Sequence, residues 1–249
     1  MEGRIPDEIW LLMTDLRRVD LHANSLSGTI PRSIDHLSSL NDLDIGSNGF
    51  TGTIPPLAFR NIEHLNLMEN DLTGTVPVTL LSPTLRTLRL RRNRFTGTFP
   101  NSLYQLTLLQ HLDLAKNYQL SANLSSQIGL LSDLRSLSFQ NVNLMGSGIP
   151  SEMGSLSVLA SLELDGASVS GTIPSEVGLL THLSKLSLSY NPRISGVVPM
   201  SFSSLLDLSE LQLFGTGLLG NVTFLCGMVD ELRVGAGVGA GVGLECACC

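Results

Sequence analysis

The sequence predicts a stack of short coils carrying a parallel β-sheet, an α/β architecture with little regular helix. Three observations carry this. A pattern, L-x-x-L-x-L-x-x-N-x-L-x-G-x-I-P, restarts at Leu16, Leu40, Ile62, Leu85, Leu109, Leu134, Leu159, Leu183 and Leu208. Asn recurs at one phase of it and Gly at another. Pro closes most copies. A fixed period of about 20 to 50 residues marks a repeat architecture, because one copy alone cannot bury its apolar face.

Each position has a physical task. In L-x-x-L-x-L the Leu residues point inward from a short strand, and stacked coils join these strands into a parallel sheet. The same spacing keeps no single helical face, and a Gly-x-Ile-Pro in each unit breaks any long helix. The Asn phase holds Asn24, Asn48, Asn70, Asn93, Asn117 and Asn191. An amide there satisfies buried backbone groups where the chain turns. Val142, Ala167 and Thr216 occupy that phase in three copies. The first two cannot hydrogen-bond, which predicts looser packing around repeats six and seven. The Gly phase runs from Gly28 to Gly220, with Ala122 as the exception, and supplies a residue that accepts positive φ. Eight of the 11 prolines share the phase of Pro31 and confine the far side of each coil to turns and short 3₁₀ pieces.

Composition narrows the function. Of 249 residues, 43% are apolar, 5% aromatic and 15% charged, against about 25% charged in a typical soluble domain. The core is therefore aliphatic. The net charge of −7 opposes phosphate backbones and excludes nucleic acid as a partner. No run of about 20 apolar residues spans a membrane. The opening MEGRIPDEIW has acid and Pro where a signal peptide has a basic and then an apolar stretch.

The GTIP segments at Gly28–Pro31, Gly52–Pro55 and Gly171–Pro174 resemble the plant-specific class of leucine-rich repeats. That class includes receptor-kinase ectodomains, receptor-like proteins and polygalacturonase inhibitors. The stretch GTIPSEVGLLTHLSKLSLSYN (171–191) and the ending LECACC (244–249) look like secreted or membrane-anchored repeat proteins of diatoms and related algae, with a shorter tail than theirs. The resemblance implies a curved right-handed leucine-rich-repeat solenoid, with the sheet on its concave face. It places the repeat domain at 1–226 and a cysteine-containing tail with a Gly/Ala/Val linker at 227–249. It also implies a non-catalytic recognition module, without cofactor or metal, that binds a protein, peptide or glycan. The setting is extracellular or at the cell surface, with signal or anchor sequence upstream of a chain that starts in mid-repeat. The alternatives are a cytoplasmic scaffold, or a protein that adsorbs to a lattice such as ice or a cell-wall polymer through the row Thr29, Thr53, Thr75, Thr98 and Thr172.

The four cysteines, Cys226, Cys246, Cys248 and Cys249, all follow the last Leu-pattern strand and read as a disulfide cap. Three pairings are open, and a metal at C-x-C-C is the rival reading. The glycines of VGAGVGAGVGLE fall on odd positions only, which does not fit a dinucleotide loop. Sequons at Asn123 and Asn221 are candidates for glycosylation.

The non-Leu strand positions point outward and are free of packing duty. The candidate ligand-binding residues are Asp20, His22, Asp44, Arg89, Arg91, Arg92, His111, Asp113, Glu163 and Tyr190. One copy, LRTLRLRRNRF, holds five of the 15 Lys and Arg. Arg89 is placed to reach Asp113 on the next coil. The cluster reads either as an intramolecular ion-pair ladder or as a spot for a carboxylate, sulfate or uronate. For catalysis, His111 and Asp113 are the best pair but too far apart for a direct hydrogen bond, and no acid is fixed between His22 and His64. No enzyme is expected.

Overall fold

The computed structural model describes residues 1–57, 59–227, 231–233 and 244–245. The chain divides into two compact units, Met1–Ser121 and Ala122–Cys249. Both are stacks of coils of the leucine-rich-repeat kind.

In the first unit the L-x-L segments form the principal strands Arg18–Asp20, Asp42–Asp44, His64–Asn66, Thr87–Arg89 and His111–Asp113. They pair in chain order, all parallel. Val19, Leu43, Leu65, Leu88 and Leu112 stand in register across them and are buried. Their neighbours on each strand point the other way, as the two-residue period of a strand requires.

A second parallel ladder was not foreseen. It runs through Glu2–Arg4, Ser25–Thr29, Gly49–Thr53, Asp71–Gly74, Arg94–Thr98 and Gln119–Ser121. Its signal was present in the triplets around Leu26, Phe50, Leu72 and Phe95. Each of these apolar residues is buried between polar residues, or in the case of Phe50 between Gly49 and Thr51, the alternation of a half-buried strand. The Gly that follows is needed for geometry. Gly74 has φ +75°, and a Cβ built there would sit 2.8 Å from Thr53 Cγ2.

Beyond Pro31, Pro77 and Pro100 the chain enters the 3₁₀ segments Arg32–His36, Val78–Leu80 and Asn101–Gln105. The first coil departs from this scheme. A short α-helix, Glu8–Leu12, takes the place of the 3₁₀ turn and buries Trp10 to 4% exposure.

The Asn phase behaves as expected. Asn93 Nδ2 donates to Leu67 O at 2.9 Å and Leu90 O at 3.1 Å, and its Oδ1 accepts the Leu72 N–H at 3.0 Å. Asn48, Asn70 and Asn117 repeat this arrangement coil by coil. The residue before each Asn takes left-handed backbone, from Ala23 (φ 54°) and Ser47 (φ 52°) to Glu69 (φ 54°), Arg92 (φ 53°) and Lys116 (φ 58°). The amide ladder holds this turn at non-glycine residues, where it costs about 1–2 kcal/mol each.

In the second unit the principal strands are Ser136–Ser138, Ser161–Glu163, Lys185–Ser187, Glu210–Gln212 and Glu231–Arg233. The other ladder is Ser170–Thr172, Arg193–Val197, Gly217–Asn221 and Leu244–Glu245. The strand ladder thus continues past Cys226, the boundary that the resemblance implied. Val229-x-x-Leu232-x-Val234 is a degenerate copy of that pattern, and Glu231–Arg233 pairs with Glu210–Gln212.

The looseness expected at Val142 and Ala167 is absent. Both side chains are fully buried; the Val169 N–H still reaches the Asn191 amide oxygen at 2.9 Å, and one coil earlier a carbonyl takes the place of the amide. The Leu144 N–H bonds to Ala167 O at 2.8 Å. In the coil with Asn191, one extra residue, Pro192, turns the Ile194 N–H back onto Asn191 O at 3.0 Å. The following coil then needs no amide, and Thr216 stands there, its hydroxyl on Leu213 O at 2.8 Å. Tyr118 is the same kind of insertion in the first unit, and the Leu120 N–H returns to Asn117 O at 3.0 Å.

Candidate functional site

The first unit presents a charged face along its principal strands. Asp20 accepts from Arg18 and from the His22 N–H, both at 3.2 Å. The backbone bond from His22, then Arg18, holds its carboxyl below the usual range. His22 Nδ1 lies 3.2 Å from Asp44 Oδ1. His64 Nδ1 meets Thr87 Oγ1 at 3.1 Å, but His22 does have a fixed acid partner, Asp44. It is fixed by the Gly46 N–H at 2.9 Å and Asn66 Nδ2 at 3.0 Å.

The arginine repeat is mainly an ion-pair ladder. Arg86 meets Glu63 at 3.1 Å, Arg92 meets Glu69 at 3.2 Å and Arg94 meets Asp71 at 2.9 Å. All three acids lie one coil earlier, and none was among the expected site residues. Glu69 also accepts from Ser47 Oγ at 3.0 Å, the largest cause of its carboxyl lying below the ordinary range.

The Arg89–Asp113 pair expected from sequence does not form. Although the two residues are in register, Asp113 instead faces Arg91 Nη1 at 4.0 Å. The reason is local. Asp113 Oδ1 accepts the Ala115 N–H at 3.0 Å, which turns the carboxylate toward the end of the strand, on the side of Arg91. Among the described residues Arg89 makes no ion pair. His111 shares its strand with Asp113. Arg92 lies off the strand face, in the left-handed turn before Asn93.

The second unit carries a more closely knit patch. Lys185 Nζ lies between Glu163 (3.7 Å) and Glu210 (3.4 Å). One alternate residue along, Asp165 is buried and accepts from Ser187 Oγ and from the Ser189 N–H at 3.1 Å. Burial pushes its carboxyl above the ordinary range, against these hydrogen bonds, and nearby Glu163 adds to the rise. Tyr190 occupies the left-handed turn, φ 58°. Its ring meets Phe214 edge-on at 5.4 Å, and the two remain 64% and 46% exposed. Asp165 and Phe214 were not among the expected site residues. Both sit at the strand-end phase of Arg91 and His22, a column the sequence already places outward.

Asn123 and Asn221 are both exposed, and Asn221 Oδ1 accepts the Thr223 N–H at 2.7 Å. Cys226 is disulfide-bonded. Cys246, Cys248 and Cys249 lie outside the described residues. Among the described residues no cluster of His, Cys, Asp or Glu is placed to hold a metal ion, and no helix is long and apolar enough to cross a membrane.

Comparison with known proteins agrees with this architecture. The Leucine Rich Repeat family matches residues 15–37 and 84–106. Receptor-like protein 43 of Arabidopsis thaliana is 38% identical over 192 residues, covering 69% of this chain and 26% of that protein. Receptor-like protein 32 of the same plant is 34% identical over 183 residues, covering 70% of this chain and 20% of its own length. The ectodomain of the Arabidopsis receptor kinase HAESA, solved with the peptide hormone IDA, superposes with a TM-score of 0.87 at 31% identity. That match covers 95% of this chain and 40% of the HAESA chain. The fold is a leucine-rich-repeat solenoid. The chain spans about a fifth of the length of the first curated relatives it matches (18% and 20%).

Proposed function

We propose that the protein is a non-catalytic recognition module and that the strand face of its second unit seats a peptide segment. The observation that carries this is the exposed Tyr190–Phe214 pair beside the half-buried acids Glu163 and Glu210 and the buried Asp165. Exposed aromatic anchors next to partly desolvated charge are the composition of binding hot spots. Three carboxyl groups against one Lys185 give the patch a negative balance. The matching ligand segment carries an apolar residue for the rings and a basic residue for the acids. The peptide bound by HAESA supports the same class of partner. The likeness to receptor-like proteins supports an ectodomain-like role at the cell surface. The diatom-like phrases at 171–191 and 244–249 narrow that reading to an algal type of receptor-like or secreted protein, with the tail after Cys226 as a disulfide-held end.

The test uses an array of short linear peptides in which basic, acidic and aromatic residues are varied systematically. Peptides with a basic and an apolar residue bind, and Tyr190→Ala or Phe214→Ala weakens them about tenfold or more. An array with no binder, or binders indifferent to both substitutions, removes the reading.

A second reading has one observation in its favour. Thr29, Thr53, Thr75 and Thr98 are all exposed, and the first three set their methyls over the glycine of the next coil. A Cβ at Gly52, Gly74 or Gly97 would lie 3.0, 2.8 or 3.0 Å from them. That fixes a hydroxyl row at the strand spacing of about 4.8 Å, a template for a lattice such as ice. Crystal shaping in a cold droplet tests it, and unshaped growth ends it.

A further inference from the structure

The extra residue in the fifth coil builds a feature that the recognition face does not use. Tyr118 follows Asn117 where the other coils of the first unit pass directly into their strand. The insertion leaves its ring 72% exposed. Two adjoining cavities, about 330 and 370 Å³, open beside it and share Asn93, Arg94 and Tyr118. They lie on the side of the second ladder, away from the principal strands.

The charge in this groove is unusual for a chain of net charge −7. Arg92 and Lys116 hold the same left-handed turn position in consecutive coils, joined by the Arg92 N–H on Ala115 O at 2.8 Å. Two cations so placed repel each other unless an anion lies between them. Glu69 compensates Arg92, and Asp71 compensates Arg94. Lys116 has no ion-pair partner among the described residues. The floor is polar and unspent. The side chains of Thr73, Thr96 and Gln119 line it, and among the described residues none of them makes a hydrogen bond. The Tyr118 hydroxyl makes none either.

We propose that this groove binds an acidic saccharide, one uronate ring lying on Tyr118 with its carboxylate at Lys116. An exposed ring offers a flat apolar face to the C–H side of a sugar. Free hydroxyl and amide groups match its hydroxyls, and the uncompensated ammonium selects a carboxylate. A neutral sugar lacks the last contact, and an acidic peptide lacks the flat polyhydroxylated ring.

Calorimetry of the whole chain in calcium-free buffer, with a trimer of galacturonic acid as probe, tests this. The neutral galactose trimer and triglutamate serve as comparisons. The uronate trimer binds and both comparisons bind at least tenfold more weakly. Tyr118→Ala and Lys116→Gln, both at the surface, each weaken it about tenfold, the loss of one good contact. Absence of uronate binding overturns the proposal. So does binding unchanged in both variants, or triglutamate binding as tightly as the sugar. The peptide array reads the other unit, so failure there and failure here are separate results.

Discussion

Asn93→Ala is the sharpest test of how the coils are held. The amide is 5% exposed and serves four backbone groups. Three of them keep a partner on its loss. Leu67 O keeps Asn70 Nδ2 at 3.2 Å, Leu90 O keeps Asn117 Nδ2 at 3.0 Å, and Arg91 O keeps the Glu69 N–H at 2.8 Å. The Leu72 N–H loses the acceptor it holds at 3.0 Å. A buried orphan donor costs about 1–3 kcal/mol, and the void left by the amide adds about 1 kcal/mol. The expected loss is about 2–4 kcal/mol, a factor of roughly 30 to 1,000 in the opening equilibrium. Repeat arrays need not unfold in one step, so the assay is hydrogen exchange of the segment containing Leu72. Asn24→Ala is the control. That amide is half-exposed, its Oδ1 meets the chain's amino group at 2.6 Å, and its loss costs at most about 1 kcal/mol. Equal protection of Leu72 in Asn93→Ala and the parent chain, or equal effects of the two substitutions, refutes the reasoning.

Other outcomes follow from the same geometry. Gly74→Ala forces a side chain into left-handed backbone at φ +75°, with its Cβ 2.8 Å from the Thr53 methyl. It costs about 1–2 kcal/mol and lowers the melting temperature. Leu186→Ala opens a cavity at a fully buried site and costs about 2–5 kcal/mol, while Leu186→Met costs under about 1.5 kcal/mol. The folded-state pKa of Asp165 lies above its unfolded value, so the folded chain binds this proton more tightly. Its stabilisation is full below the unfolded pKa and is lost as pH rises through the folded pKa. Asp165→Asn keeps an acceptor for Ser187 and Ser189. In denaturant titrations the stability of the variant relative to the parent rises from acid to neutral pH. A difference that is flat, or falls with pH, contradicts the burial argument.

Much of the fold was written in one dimension. Leu43, Leu65 and Leu88 had to share a face because their spacing repeats, and Asn48, Asn70 and Asn93 had to share a turn. Repetition makes stacking neighbours predictable, since each coil meets the next at the same phase. The second ladder was legible too, in the alternation around Phe50 and Phe95, although its signal is weaker than the Leu pattern. The compensation at Val142 was less so, because it depends on where the Leu144 N–H finds a carbonyl.

The candidate sites divide in the same way. The sequence determined that Arg89, Arg91, Asp113, Glu163 and their neighbours face outward, because the alternate positions are taken by the core. Only the tertiary structure decided which charges meet. A backbone bond from Ala115 turned Asp113 to Arg91 and left Arg89 without an ion pair among the described residues. Acids one coil back, Glu63, Glu69 and Asp71, took up three other arginines. Tyr190 met Phe214 across coils, and an inserted Tyr118 opened a groove beside Arg94. Periodicity fixes the direction of a side chain. Partners a coil apart are chosen by rotamers, local hydrogen bonds and single-residue insertions, and the groups so brought together lie more than twenty residues apart in the chain.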